Sequence, residues 1–366
     1  MAHLDPDRQP EGGTSMTKRK PKALGLISGG LDSMLALKIV RDVLGCEVRA
    51  INFYTGFCIT ETQRRRGTKR SDGTVKPNEA LVAGAELQTE VELIDISDAG
   101  YLDVIANPKY GYGANANPCV DCRIDMFQRA RAMLDEWGGD FVFTGEVLGQ
   151  RPKSQRRDTL GLIEKNAGLQ GRLLRPLSAR LLPPTRAEEE GLIEREKLLD
   201  ISGRGRKAQI ALAHELRIGE FPQPAGGCCY LTDEAFARKF FDILDHRDER
   251  RIEKEEIVLL ASGRHFRLSP KAKLVVGRTE GENFQLERHA PGRYLLQAID
   301  HNGPLGLVEG EPTWEEMILA SRILGRYGQG RAEPQLTVEW RKDGGVEQRL
   351  EVEPYRDDAA IEKLRI

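Results

Sequence analysis

Ser28-Gly29-Gly30-Leu31-Asp32-Ser33 lies between an apolar run, Ala23–Leu26, and a helical-looking stretch, Met34–Val40. A glycine pair lets backbone amides crowd against an anion. A helix starting at Asp32 or Ser33 adds unpaired N–H groups and the positive end of its dipole, and Ser28 and Ser33 add hydroxyl donors. That chemistry is phosphate binding. The Gly-x-x-x-x-Gly-Lys spacing of the Walker loop is missing. The plainer alternative is a strand-to-helix turn capped by Asp32 or Ser33. A second set of residues is sulfur: Cys119-Val-Asp-Cys122 follows a loop rich in Gly and Asn, and Cys228-Cys229 follows Pro224-Ala-Gly-Gly227. A CxxC with a distant cysteine suits three-thiolate ligation of an iron–sulfur cluster with one iron open. It equally suits zinc, or a persulfide with a resolving thiol. Cys46 reads as a buried structural thiol, and Cys58 falls in a loop near the phosphate string.

A third set is basic: Arg64 to Arg66 with Lys69 and Arg70, Arg151 to Arg157, and Arg204 to Lys207. Each is either a solvated loop or a contact for RNA phosphates. Glu146, Gln150 and Arg151 follow a strand end, where they could face a nucleotide or a target base. The six histidines show no metal spacing, and no Ser-His-Asp or paired-carboxylate pattern stands out.

Elements that would position these residues alternate. Strands are expected at Ala23–Ser28, Glu47–Tyr54, Glu90–Ile96 and Asp140–Thr144, with helices at Asp32–Val43, Asn78–Leu87 and Asp125–Trp137. Alternation of this kind predicts an α/β fold, a doubly wound parallel sheet whose ligands sit beyond the carboxyl ends of the strands. The phosphate string, the chain from Thr55 onwards and Thr144-Gly145 all fall at such ends. Further on, Thr185–Leu199, Gln209–Glu215, Asp233–Leu244 and Glu249–Val258 read as helical. After Ser262, short strands (Lys273–Val276, Phe284–Glu287, Tyr294–Ile299, Leu305–Leu307), a helix (Trp314–Tyr327) and a hairpin (Gln335–Arg341 with Gln348–Val352) predict a smaller α+β domain.

At 366 residues the chain exceeds what one core serves, and 39% hydrophobic with 31% charged residues is ordinary for a soluble protein. A net charge of −2 excludes a uniformly basic nucleic-acid binder. No apolar run approaches a bilayer span, and no secretory signal precedes the first strand, so a cytoplasmic location is expected. Residues 1–21 read as a disordered leader, with Met16 a candidate start.

The loop string resembles the PP-loop of the N-type ATP pyrophosphatases, Ser-Gly-Gly-x-Asp-Ser after the first strand. The strings 117–122, 144–155, 203–209 and 224–228 are similar to a bacterial branch of tRNA thiolation enzymes, the 4-thiouridine synthetase catalytic domain and tRNA 2-thiouridylase. The likeness spans roughly 22–245. It implies an adenine nucleotide alpha hydrolase-like domain that uses ATP and Mg²⁺ to adenylate a uridine carbonyl in tRNA and then transfers sulfur. The implied nucleotide contacts are Ser28, Gly29, Gly30, Asp32 and Ser33, with Phe53, Thr144 and Gly145. Cys119, Cys122 and Cys228 are the implied ligands of a 4Fe–4S cluster (zinc being the alternative), with Cys229 the alternative third ligand. Arg151, Arg204, Arg206 and Lys207 become candidate RNA contacts. Ala272 to Arg278, Glu282-Asn283 and Arg322 to Arg331 resemble an NFACT-type RNA-binding domain, adding Arg278 and placing a helical linker plus that domain at 246–366. The implied partners are tRNA and a sulfur donor, either sulfide or a desulfurase-derived persulfide; a homodimer is left open. Two rivals stand beside this reading: amide formation on a small metabolite with structural zinc, and a non-catalytic RNA-binding protein.

Overall fold

The computed structural model describes residues 19–59, 61, 64, 73–74, 77–221, 229–247 and 249–366. Strand β1 (Lys22–Leu26) leads through the phosphate string into helix α1 (Leu31–Lys38), which closes in one wider turn, Ile39–Val43. Then follow β2 (Glu47–Tyr54), α2 (Glu79–Glu86), β3 (Val91–Asp95), α3 (Ala99–Ala106), α4 (Cys119–Trp137), β4 (Phe141–Thr144), α5 (Arg157–Ala167) and β5 (Leu173–Leu174). The strands form a parallel sheet in the order β3-β2-β1-β4-β5. Alternate residues serve opposite faces, as the period of a strand demands. Leu24, Ile51 and Val142 pack with α3, α4 and α5 on one face. Ala23, Ala50 and Phe141 pack with α1 and α2 on the other. The sheet is doubly wound, as expected. Helices α6 (Lys207–Glu215), α7 (Glu234–Asp245) and α8 (Lys254–Leu260) follow.

Three local expectations fail for identifiable reasons. The charged stretch Thr185–Leu199 is not one helix. It forms a turn at Arg186–Glu189 and another at Arg195–Lys197, split at Gly191, whose φ of +64° is left-handed. Phe284–Glu287 is not a strand but the middle of α9 (Glu280–Arg288), started by the Thr279 cap on the Glu282 amide. Helix α4 starts six residues earlier than expected, at Cys119 itself, directly after Pro118. The CxxC is therefore the first helical turn.

The second sheet comprises β6 (Arg264–Ser269), β7 (Ala272–Val276), β8 (Tyr294–Ala298), β9 (Leu305–Gly310), β10 (Leu336–Lys342) and β11 (Gly345–Val352). It is antiparallel, in the order β11-β10-β8-β9-β7-β6. Helix α10 (Trp314–Arg326) covers one face, where buried Trp340 donates to Ser321 Oγ at 2.7 Å; α11 (Asp358–Leu364) closes the chain. Helix α8 joins the two sheets. Its Ile257 and Leu260 pack in the first core, and Leu259 packs with Val275 and Leu286 of the second. Among the described residues no helix is long and apolar enough to cross a membrane.

Candidate active site

In a parallel α/β sheet each helix begins at the edge where the strands end. Asp32 at the start of α1, Cys58 after β2, Cys119 at the start of α4 and Gly145 after β4 therefore share one edge. The phosphate string is wedged there between two backbones. Gly29 has φ +84°, and a Cβ on it would lie 2.3 Å from the Glu79 carbonyl carbon. A Cβ on Gly145 would lie 2.4 Å from the Asp32 carbonyl carbon and the Ser33 amide. No side chain fits at either place.

The cap expected from Asp32 or Ser33 is not made. The N-cap of α1 is Gly30, without a side-chain cap bond, and Ser33 Oγ donates back to the Gly30 carbonyl at 2.8 Å. The Ser33 amide donates to the Gly30 carbonyl at 3.0 Å, which leaves the Leu31 and Asp32 amides, among the described residues, for an anion. Exposed Ser28 holds its Oγ 3.3 Å from Ser33 Oγ. Asp32 Oδ2 accepts from Gln150 Nε2 at 2.9 Å, while its Oδ1 is buried with no protein partner among the described residues. On α6, which packs against α1, wholly buried Gln209 has no partner for either amide atom among the described residues, and neither has Nε of Arg206, the residue just before the helix. Buried polar atoms are ordinarily satisfied. An open helix terminus, a carboxylate oxygen without a partner and a glycine cradle fit the phosphates of ATP with Mg²⁺.

Other expected nucleotide contacts are placed differently. Phe53 is in the apolar core beside Leu24 and Ile51, inside β2 and paired with Ile94 of β3. The Thr144 hydroxyl accepts from the Glu146 amide at 3.3 Å. Glu146, read from sequence as facing a nucleotide or base, is instead locked away at 3% exposure. Its Oε2 accepts from Arg175 Nε at 3.0 Å and its Oε1 lies 3.3 Å from Arg123; Arg175 also pairs with Glu164. Burial pushes the Glu146 carboxyl up, but Arg123 and Arg175 more than offset it and hold it below the usual range. Breaking such a pair strands a buried guanidinium, so Glu146→Ala is expected to cost about 3–5 kcal/mol, read by urea unfolding. The cluster also fixes distance. Arg123 follows Cys122 on α4 and pairs with Glu146, and the loop after Glu146 reaches Asp32 through Gln150, so the CxxC helix and the phosphate string are joined through that loop.

Cys119 Sγ lies 2.9 Å from Asn117 Oδ1, and Cys122 Sγ lies 3.2 Å from the Tyr101 hydroxyl. Cys229 stands opposite Cys58 in an antiparallel bridge. Tyr230 N donates to Phe57 O at 2.9 Å, which makes this the non-hydrogen-bonded kind of pair, whose side chains approach most closely. Tyr101 is wholly buried, and burial, then Cys122 and Cys229, raises its phenol well above the ordinary value. Cys122 and Cys229 therefore both lie near one buried hydroxyl, and Cys58 stands opposite Cys229. Sequence reasoning left Cys58 undecided and missed Tyr101, which carries no motif of its own. Cys228 lies outside the described residues. Among those described, no three His, Cys, Asp or Glu side chains are spaced to hold a metal ion.

Arg151, Arg204 and Lys207 are exposed and Arg206 half-buried at the mouth of this edge. The two loops are tied by a Leu148–Ser202 bridge and by Gly203 N donating to Leu148 O at 2.7 Å. Beside Val120, a cleft of about 460 Å³ is lined by Lys153 and Arg156. Arg278 is not part of this group; it lies in the second domain, paired with Glu282.

Residues 19–180 match the family model described as thiamine biosynthesis protein (ThiI), and residues 263–365 match that of the NFACT protein RNA binding domain. No curated protein matches the sequence significantly. Solved structures with some likeness include the C-terminal part of the fibronectin/fibrinogen-binding protein from Streptococcus suis, at 12% identity over 68% of this chain and 94% of that one (TM-score 0.24). Another is the U34-tRNA thiolase NcsA from Methanococcus maripaludis with its [4Fe-4S] cluster, at 16% identity over 68% and 74% (TM-score 0.30). A third is a 4-thiouridine synthetase–RNA complex with bound ATP, at 16% identity over 54% and 52% (TM-score 0.31). The chain therefore carries a ThiI-type PP-loop domain over residues 19–180, followed by an NFACT-type RNA-binding domain over residues 263–365.

Proposed function

We propose that the chain thiolates a uridine of tRNA in two steps at the edge described above. The observation that carries this is the uncapped, glycine-wedged start of α1 with its unpartnered Asp32 oxygen, linked through Gln150, Glu146 and Arg123 to the CxxC turn. Ser28, Gly29, Gly30 and Ser33 bind the phosphates of ATP, and Asp32 holds Mg²⁺. The uridine carbonyl oxygen attacks the α-phosphorus, the bond to pyrophosphate breaks, and an adenylated base remains. Fixed amide dipoles stabilise the charge that builds on the phosphoryl oxygens. Sulfide, or the terminal sulfur of a cysteine persulfide, then adds to the activated carbon, and AMP leaves with the former carbonyl oxygen; on the persulfide route a second cysteine thiolate attacks the cysteine sulfur of the resulting mixed disulfide, which releases the thiouridine and leaves a protein disulfide. Arg151, Arg204, Arg206 and Lys207 meet RNA phosphates at the mouth. The target base leaves its stack to enter.

Cys119, Cys122 and either Cys228 or Cys229 would hold a 4Fe–4S cluster, which when bound supplies an iron position for sulfide; neither step above depends on it. Anaerobic incubation with unmodified tRNA, ATP, Mg²⁺ and sulfide is expected to yield a thiouridine detectable by nucleoside mass spectrometry. Its absence, with AMP formed on a small amine or acid instead, would sink the reading. Protein purified without oxygen is expected to carry iron and sulfide; a colourless protein with stoichiometric zinc would remove the cluster.

A further inference from the structure

The ends of β6 and β7, the turn before β9 and the chain after α10 enclose a second cleft of about 620 Å³, in the C-terminal domain. Its lining carries three arginines, Arg264, Arg278 and Arg331, against one carboxylate, Glu280. Two of the guanidiniums are held in place before any ligand arrives. Arg264 lies over the Tyr327 ring, 4.5 Å from its centroid. Arg278 donates through Nε to Glu282 Oε2 at 3.0 Å, and Glu282 also accepts from the Arg278 amide at 2.9 Å. Glu282 is buried and Arg278 is 44% exposed, so the pair is anchored on the inside and offers its remaining N–H groups outward. Although burial pushes Glu282 up, Arg278 brings it to about 2, so the anchor stays ionised at neutral pH. Asn302 and Gln329 add neutral donors on the rim.

Helix α7 ties this cleft to the thiol edge. Its Lys239 Nζ donates to the carbonyls of Leu260 at 3.3 Å and Gly263 at 3.2 Å, the latter just before Arg264. Lys239 is at most about 25 Å of chain from Cys229. Pre-fixed guanidiniums around an open polar cleft suit phosphodiesters, which are recognised by charge and by forked N–H donors.

We infer that the cleft of Arg264, Arg278 and Arg331 is the RNA-backbone site of the C-terminal domain, and that it holds the same tRNA whose uridine is presented to the PP-loop edge. This deepens the thiolation reading and rests on it only for the identity of the RNA.

The test titrates the full-length protein with a labelled, unmodified tRNA transcript, without ATP or sulfur donor, across a salt series. Arg331→Ala and Arg264→Ala are each expected to weaken binding roughly fivefold and to lower the salt slope by about one. Arg349→Ala, which removes a positive charge from the same domain outside the cleft, is expected to leave both unchanged. Affinity and slope unaltered in the two cleft variants would overturn the site, as would an equal loss in the Arg349 variant. Arg331 is exposed, so its replacement tests the site even where Arg264→Ala disturbs Tyr327. In the thiolation assay Arg331→Ala is expected to raise KM for tRNA with kcat unchanged. If tRNA binds through the cleft but no thiouridine forms, the thiolation reading fails and the cleft stands.

Discussion

Asp32→Asn is expected to fold normally and to lose about 10²–10³-fold in tRNA-dependent pyrophosphate release. The substitution keeps the size of the side chain and an oxygen for Gln150 Nε2, which now lies 2.9 Å from Oδ2. It removes the negative charge where, among the described residues, a carboxylate oxygen of the loop is buried without a protein partner. Its stability is expected to remain within about 1 kcal/mol of the parent in urea, because no ion pair is broken. Gln150→Ala, which only releases Asp32 from its positioning bond, is expected to give a smaller loss. Equal losses in both would mean that orientation rather than charge is what Asp32 supplies.

Cys119→Ser and Cys122→Ser are expected to separate the two half-reactions: pyrophosphate release persists while thiouridine falls below detection. The reason is positional. Both thiols sit in the first turn of α4, a helix terminus where anionic sulfur is favoured, and neither contributes to the phosphate string. Cys229→Ser is expected to behave like them, since Cys229 and Cys122 act on the same buried Tyr101 hydroxyl. If all three variants kept thiouridine formation, the sulfur would have to be delivered without these thiols, and the second step would be wrong as written. Loss of pyrophosphate release as well would place the thiols in the adenylation step.

How much of this was legible beforehand varies with how local the cause is. The parallel sheet was readable because strand and helix periods alternate with short connections, and the phosphate string because its chemistry lies in six consecutive residues. The start of α4 was misplaced, because a Pro-Cys opening followed by Val-Asp looks like a loop until Pro118 is seen to precede the helix and Asp121 to accept from the Tyr110 amide. Phe284–Glu287 looked apolar enough for a strand, yet Phe284 is exposed on a helix whose other face buries Leu286. Glu146 was misjudged for a different reason. Its partners Arg123 and Arg175, the latter shared with Glu164, lie more than fifty positions apart, and no local pattern announces a buried ion cluster. The gathering of Cys58 and Cys229 depends on a single bridge between distant segments, which spacing alone does not encode.

Helix α8 has a consequence for how such a chain can be rearranged. Neighbouring residues on it serve different cores, Ile257 and Leu260 the first and Leu259 the second. Lys254 also pairs with Asp95 at 2.7 Å, and the Glu255 carbonyl accepts from His289. The two modules therefore share an element as well as abutting. A recombination event that replaced the C-terminal module at residue 246 would remove Ile252, Ile257 and Leu260 from the first core and expose apolar surface on α7. The unit that can be exchanged begins after α8, and any donor module must present an apolar surface to Leu259. That requirement ties the lineage of the RNA-binding module to that of the catalytic one.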